Sequence, residues 1–404
     1  MKLTIVGGAG NVGSAATSIL AKSNIFSEII IADKDFERAN EIAKKLGSIV
    51  SFKKLDADDP DSIRNAVIGS SVILNTIGPC YKFGSSILNI AINLGIDYID
   101  ICDDIDGTEA LLKMDNKAKN SNVSAIINTG SSPGLTNIIA KFVSDSLLDK
   151  VNSVDIYHAH GGEPTEGPGV IKHRIHSMII DIPIFDNGSF KMVNLFDESG
   201  KSQEEELECP GIGKTIFYPY PHPETITLPK YIKGIKHVAN KGTVLPLEYM
   251  ELIRNIARLK IVEEEPIDVL GQKIAPIDFA VGYILNNRKK ILEKAKILKS
   301  LGCLKIVVKG EKNREKITYN VYTSTNEMGL PEGTGLPAAL VTMLMGLGKI
   351  KTKGVNPPEG AINPMELFYF VKEKMPIGEE VIPLIVESVN ENGEINKLNL
   401  SSIL

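Results

Sequence analysis

Three glycines near the start constrain this chain more than any other feature. Gly8, Gly10 and Gly13 stand as GxGxxG directly after a short apolar run, Lys2 to Val6, and a second apolar run, Ile29 to Ala32, ends on Asp33, 20 residues beyond Gly13. Each glycine has a physical task in a strand–loop–helix unit. Gly8 allows a tight turn out of the strand, Gly10 has no Cβ to hold off a pyrophosphate, and Gly13 lets a helix from about Asn11 to Lys22 lie close on the sheet. Backbone N–H groups at Asn11 and Val12 then face the phosphates, where the helix dipole also favours negative charge. Asp33, at the tip of the second strand, accepts from ribose hydroxyls and repels a 2′-phosphate. The pattern predicts a dinucleotide site that favours NAD, with NADP kept open by Lys34 next door.

The rest of the composition is that of a globular protein. A chain of 404 residues, 43% of them apolar, is long enough for two or three domains with filled cores. The net charge of −5 is spread over interspersed acidic and basic residues, so no basic face points to nucleic acid and no polybasic run to a membrane surface. No apolar run reaches the ~18 residues of a spanning helix, and Met1 opens directly on the first strand, so a cytoplasmic protein without a signal peptide is expected. Cys80, Cys102, Cys209 and Cys303 are far apart and form no CxxC, which argues against structural zinc and against a disulfide framework.

After Asp33 the alternation continues through helices at Phe36 to Leu46, Pro60 to Val67, Ser85 to Leu94 and Thr108 to Lys119. The strands between them fall at Ser51 to Leu55, Ser71 to Thr76, Tyr98 to Cys102 and Ser124 to Asn128. Six strands alternating with helices predict an α/β fold, a Rossmann doubly wound parallel sheet. Ligands of such sheets sit beyond the carboxyl ends of the strands, which places Asn75 to Tyr81 and Asp100 to Asp104 on the functional rim. Asp56, after the third strand, is either an adenine contact or a cap for the Pro60 helix. From about Gly130 the pattern changes to Gly and Pro turns between alternating runs at Val151 to Ala159, Phe190 to Leu195, Thr215 to Tyr218, Leu304 to Lys309 and Ile317 to Ser324. Helices are expected at Leu135 to Ser146, Leu245 to Leu259 and Ile277 to Ser300, and a hairpin tip at Lys312 to Lys316. This is a second, α+β mixed-sheet domain. Gly333 to Gly346 reads as a small, apolar helix with Pro337 near its start, suited to close packing on another element.

The stretch GSSPGLTNIIA, Gly130 to Ala140, resembles the saccharopine dehydrogenase-like family, and NTIGPCYKFG (Asn75 to Gly84), GIDYIDICDD (Gly95 to Asp104), HPETITLPK (His222 to Lys230) and GTGLPAALVTMLMGLG (Gly333 to Gly348) resemble it too. The resemblance spans most of the chain and covers saccharopine reductases, lysine 6-dehydrogenases and carboxynorspermidine dehydrogenases. It implies hydride transfer at a C–N bond through an imine, with NAD or NADP, and a homodimer built through the second domain. It also implies a C-terminal segment that rejoins the first domain: residues 1–129 with about 333–404 bind the dinucleotide, and 130–332 form the substrate and dimerisation domain. Asn75, Gly78 and Pro79 match the family's cofactor-side loop after strand four, although Gly-Pro is equally a plain turn.

Such chemistry needs an anchor for a carboxylate, an acid–base group and exclusion of water. GEPTEGPGVIKHRIH, Gly162 to His176, concentrates Glu163, Glu166, His173, Arg174 and His176 just after a strand. On a helix His173 and His176 share a face, and imidazole suits proton transfer near pH 7; Arg174 suits a bidentate grip on a carboxylate but falls on another face. The plainer alternative is a solvated helix face. Asp100, Asp103 and Asp104 crowd the rim of the fifth strand, where they hold a proton, bind a substrate ammonium or cap the next helix. Cys102 among them reads as a small buried residue. His222 and Glu224 flank Pro223 in a stiff loop that is a site or a connector. His158 and His160 share a strand face but lack thiolates or an HExxH pattern, so no metal site is expected. The candidates for catalysis are Glu163, His173, Arg174, His176 and Asp103, acting on a small amino acid or amine of the lysine or saccharopine type. Two other readings stay open: carboxynorspermidine-type reductive condensation, and a non-catalytic redox sensor. A closed pocket with Arg174 or a Lys facing the nicotinamide would mark catalysis, and a filled apolar cleft a sensor.

Overall fold

The computed structural model describes residues 1–163, 165–297, 299–325, 329–374 and 384–398. Lys2–Val6 (β1), Glu28–Asp33 (β2), Val50–Lys54 (β3), Val72–Asn75 (β4), Asp97–Asp100 (β5) and Ser124–Ile126 (β6) form a parallel sheet in the order β3-β2-β1-β4-β5-β6. The strand order reverses between β1 and β4, where a doubly wound sheet opens a ligand crevice. Ile29, Ile30 and Ile31 are buried because both faces of the sheet are covered by helices, hence the unbroken apolar run. Six strands were expected, but a seventh, Gly354–Asn356, adds in parallel beside β6. Three residues flanked by Gly and Pro carry no periodicity to announce it.

Helix boundaries differ from expectation in several elements. The helix after β4 starts at Cys80, because Pro79 serves as its N-cap, and the one expected at Thr108 to Lys119 divides into Ile105–Leu112 and Asp115–Asn120. Pro276–Lys294 stops short of Ser300. Pro337 lies inside Leu330–Gly346, while Pro331 takes the first turn, where a missing N–H costs nothing.

Among the described residues the second sheet has ten strands. His237–Leu245 runs parallel to Lys150–Gly161, and Leu301–Lys312 and Glu315–Thr325 continue the sheet in antiparallel fashion through a tight turn at Asn313 and Arg314, both at positive φ. His237–Leu245 was not expected as a strand, since HVANKGTVL mixes small and charged residues. It is nevertheless central and mostly buried.

Two packing relations position the site. Leu330–Gly346 lies along Asn11–Ala21, close enough that a Cβ on Gly335 would stand 3.1 Å from Ala15 Cβ and from Val12 O. Helices Pro168–Ile179, Leu247–Arg258 and Pro276–Lys294 share a core of Ile171, Ile175, Tyr249, Ile253 and Ile284. That core holds the first of these helices over the rim, with Gly169 against the Gly78 carbonyl, where a Cβ would approach to 3.3 Å.

Candidate active site

One cavity of about 520 Å³ runs from the glycine turn, past the ends of β4 and β5, to the second sheet. At its first end Gly10, Asn11, Val12, Gly13 and Asp33 line the wall, and farther along so do Asn75, Gly78 and Pro79. The cradle suits a dinucleotide. Gly10 is the N-cap of Asn11–Ala21 and meets nothing but the Gly7 carbonyl where a Cβ would stand, while a Cβ on Gly13 would lie 2.3 Å from Gly7 O and 2.7 Å from Thr76 Oγ1. The tight turn falls at Gly7, with φ +79°, and not at Gly8, which sits beneath the lining against Ile5 and Ile31. The Asp33 carboxylate accepts from the N–H groups of Ala9 and Asp35, each at 3.0 Å, which fixes it between the turn and the strand end.

Asp56 is exposed, lies off the cavity wall and accepts from Asp58 N; the cap of the Pro60 helix is Asp59. Arg38, not singled out from the sequence, lines the same end and donates to Asn11 Oδ1 at 2.9 Å. Its signal was a cation in the first turn of the helix after Asp33.

At the other end the two sheets bring titratable groups together. His173 Nδ1 donates to Asp104 Oδ1 at 2.7 Å, and Nε2 lies 3.3 Å from Asp103 Oδ2. Burial opposes the imidazolium, but the two carboxylates outweigh it and hold His173 up at about 9. Asp103 and His173 line the cavity, whereas Asp104 is buried beneath them and also accepts from Tyr81 N at 3.0 Å. Burial pushes Asp100 up to about 6 and the Cys102 thiol up to about 11, so Cys102 is an inert buried thiol.

His158 and His222 stack with ring centroids 4.6 Å apart, and Tyr220 meets both edge-on. Burial holds His158 down at about 3 and His222 well below its usual value, so both are neutral.

His176 is a correction. It shares a helix face with His173, as the spacing requires, but it pairs with Asp106 at 3.0 Å and stacks on Tyr81 outside the cavity lining. Glu163 is another: it sits behind the wall, against His160 Nδ1 at 2.8 Å and Arg288 at 3.4 Å, and accepts from Leu330 N. Burial works against its charge, yet His160 and Arg174 hold it down at about 2, so it stays a carboxylate. Arg174 lines the cavity, but its Nη2 is committed to Glu166 at 2.7 Å and approaches His160 Nε2 at 3.4 Å. The expected bidentate grip is therefore reduced to Nη1, which is buried and has no hydrogen-bond partner among the described residues. Ser132 and Tyr220, both on the wall, were missed because neither spacing nor charge marks them.

Residues 3–126 match the family model described as the saccharopine dehydrogenase NADP binding domain. The chain is 24% identical over 374 residues to carboxyaminopropylagmatine dehydrogenase of Synechocystis sp., covering 88% of this chain and 92% of that protein. It is 21% identical over 397 residues to carboxynorspermidine synthase of Vibrio cholerae, covering 86% and 89%. Its fold is similar to that of apo saccharopine dehydrogenase (L-Glu forming) from Saccharomyces cerevisiae, with a TM-score of 0.68, 13% identity and coverage of 98% and 100%. No helix among the described residues is long and apolar enough to cross a membrane. The amino-terminal residues 3–126 thus match a nicotinamide-dinucleotide-binding domain at the glycine turn that fits one, and the likeness to these dehydrogenases extends along most of the chain.

Proposed function

We propose that this protein carries out reversible oxidation of the C–N bond that joins an amino-acid carbon to an amine, passing through an imine. The observation that carries the reading is a single cavity lined at one end by the glycine turn and at the other by Asp103, His173, His222 and Arg174. When bound, the nicotinamide supplies the hydride acceptor or donor. The chain supplies the rest. Arg174 Nη1 is a buried, unpartnered donor suited to a substrate carboxylate, and Asp103 presents an oxygen suited to an ammonium. His173, charged and braced by Asp104, acts as a fixed cation beside them and not as a base. The helix Pro168–Ile179 covers Gly78 and keeps bulk water from the reacting carbon.

The names of the two relatives favour an aminocarboxypropyl-type polyamine conjugate over lysine or saccharopine. In the same reading the protein is a cytoplasmic homodimer and Asp33 makes NAD its preferred coenzyme, with Lys34 and Arg38 at the same rim as the groups that would receive an NADP phosphate. A sensor without turnover would be served by a filled apolar cleft, whereas this cavity is unfilled and carries Arg174 on its wall.

The test is to incubate purified protein with NAD or NADP and with lysine, saccharopine, ornithine, diamines and carboxyalkylated polyamines, following reduced nicotinamide by absorbance. Reduction with the carboxyalkylated amines is the expected result. Reduction with lysine alone moves the substrate to the lysine 6-dehydrogenase type, and silence across the panel returns the sensor reading.

A further inference from the structure

Behind the cavity wall a line of polar groups runs inward from His222. Ser132 and His222 are on the wall; Glu224 is fully buried behind them. Ser132 Oγ lies 3.2 Å from His222 Nδ1 and donates to Glu224 Oε1 at 2.6 Å, and Thr136 Oγ1 donates to the same oxygen at 2.7 Å. Asn240 Nδ2 approaches Ser132 Oγ at 3.3 Å. The second oxygen, Glu224 Oε2, is buried and has no hydrogen-bond partner among the described residues. That oxygen faces His222 Nδ1 at 4.0 Å, too far for a hydrogen bond. A buried carboxyl with one unsatisfied oxygen is costly, and a Gln would hold the same two hydroxyls without charge.

We infer that Ser132 and Glu224 form a proton relay that exchanges protons with the substrate nitrogen through His222. The inference rests on the C–N oxidation proposed above and says which groups handle its proton. The substrate ammonium must lose one proton before the adjacent carbon can release a hydride. His222 Nε2 takes that proton while Nδ1–H passes its own to Ser132 Oγ, and the Ser132 hydroxyl proton moves to the Glu224 carboxylate. One N–H bond of the substrate breaks and one O–H bond forms on Glu224; His222 and Ser132 end with as many protons as they began. The hydride and its two electrons leave separately, to the nicotinamide. In the reductive direction Glu224 returns the proton by the same route.

The surroundings fit a route that passes charge without storing it midway. His222 faces His158, Tyr220, an Asp103 carboxylate oxygen within 4.8 Å and, at 6.3 Å, His173, which Asp103 and Asp104 keep charged. Burial and these neighbours make His222 a poor resting place for a proton. Glu224 faces the Ser132 and Thr136 hydroxyls, His222 Nδ1 at 4.0 Å from Oε2 and, from Pro358–Ala361, the buried Glu359, whose Oε2 accepts from Asn137 at 3.0 Å. Burial pushes Glu224 up to about 7, against the two hydroxyls that favour its anion. Such a group exchanges a proton readily near neutral pH.

The experiment uses the full-length protein and its Glu224→Gln, Glu224→Asp and Ser132→Ala variants. Single-turnover nicotinamide reduction, measured against pH with an amine the wild type oxidises, should show a limb near 7. Glu224→Gln should lose that limb with a rate about 100-fold lower, and Glu224→Asp should restore part of both. Nicotinamide affinity, read by fluorescence, should hold in every variant. A Glu224→Gln enzyme with an unchanged limb, or an affinity that falls in step with the rate, overturns the relay. Nitrogen NMR of labelled histidine supplies a readout that needs no turnover: His222 should carry its proton on Nδ1 in the wild type and redistribute it in Ser132→Ala. A wild type protonated on Nε2 overturns the relay even where the amine panel succeeds, and a silent panel overturns the proposed reaction while the tautomer still decides the relay.

Discussion

Asp33 and Arg174 show how much one side chain's partners decide. The glycine turn and Asp33 were legible because backbone sterics and one carboxylate at a fixed distance leave few alternatives, but the brace from Ala9 N and Asp35 N was not, since it depends on where the turn closes. In the proposed reading Asp33, with both oxygens already held, offers its remaining lone pairs to a ribose at little entropy cost. Replacing Asp33 by Ser together with Lys34→Arg removes the repulsion and adds a phosphate partner beside Arg38. The preference, read as the NADP to NAD ratio of kcat/KM, should rise by about tenfold to a hundredfold, the worth of one charged hydrogen bond. An unchanged ratio would mean the adenosine ribose lies elsewhere. Arg174 calls for a gentler change, because truncating a buried ion pair costs about 3–5 kcal/mol and would confuse folding with binding. Arg174→Lys keeps the charge opposite Glu166 while removing the free Nη1. We expect KM for a carboxylated substrate to rise by roughly tenfold to a hundredfold with kcat little altered. Steady-state kinetics with and without the substrate's carboxylate checks this, and an equal loss for both substrates would remove Arg174 from carboxylate binding.

Elements were legible where periodicity was long and the environment uniform, as in β1 to β5, and less so where packing overrides pattern. His237–Leu245 is a central strand because its neighbours on both sides supply the hydrogen bonds, although Ala239, Asn240, Lys241 and Gly242 in its middle are poor strand formers. The small-residue helix Leu330–Gly346 is the opposite case: its composition announced close packing without naming the partner. That partner is Asn11–Ala21, whose N-terminus lines the glycine-turn end of the cavity. Gly335 tests whether the contact transmits to the site. Gly to Ala inside a helix gains up to about 1 kcal/mol from backbone entropy, yet a Cβ 3.1 Å from both Ala15 Cβ and Val12 O overpacks at a cost of roughly 1–3 kcal/mol. Overpacking should win. Gly335→Ala should lose about 1 kcal/mol of stability in urea and Gly335→Val more, and both should weaken nicotinamide binding, by fluorescence titration, because Val12 is pushed toward the phosphates. A stabilised Gly335→Ala would show that the two helices part freely.

At the scale of the whole molecule the site is a seam. Asp103 and Asp104 follow β5, His173 comes from the helix after Lys150–Gly161, and about 70 residues lie between the pairs that meet, with |i−j| of 69 for His173 and Asp104. Sequence named these residues separately, since each stands in a dense, charged segment, but it could not pair them; only the core that seats Pro168–Ile179 over the rim does so. The pairing makes the seam sensitive to pH in a defined direction. The Asp pair raises His173 from its usual 6.5 to about 9, so the folded state binds the proton more tightly than the unfolded chain. Its contribution is complete below about pH 6.5 and disappears as pH rises through about 9. At 1.36 kcal/mol per pH unit the span amounts to roughly 3 kcal/mol at most. The neighbouring His176–Asp106 pair is more exposed and adds little. Urea midpoints should therefore fall between about pH 6 and pH 10 in the wild type by more than in His173→Gln, where the imidazolium is gone. Because lysines and tyrosines begin to titrate at the upper end, the difference between the two proteins is the quantity that decides. Parallel curves would show that His173 does not bind its extra proton in the folded state, and the seam would then be held by packing alone.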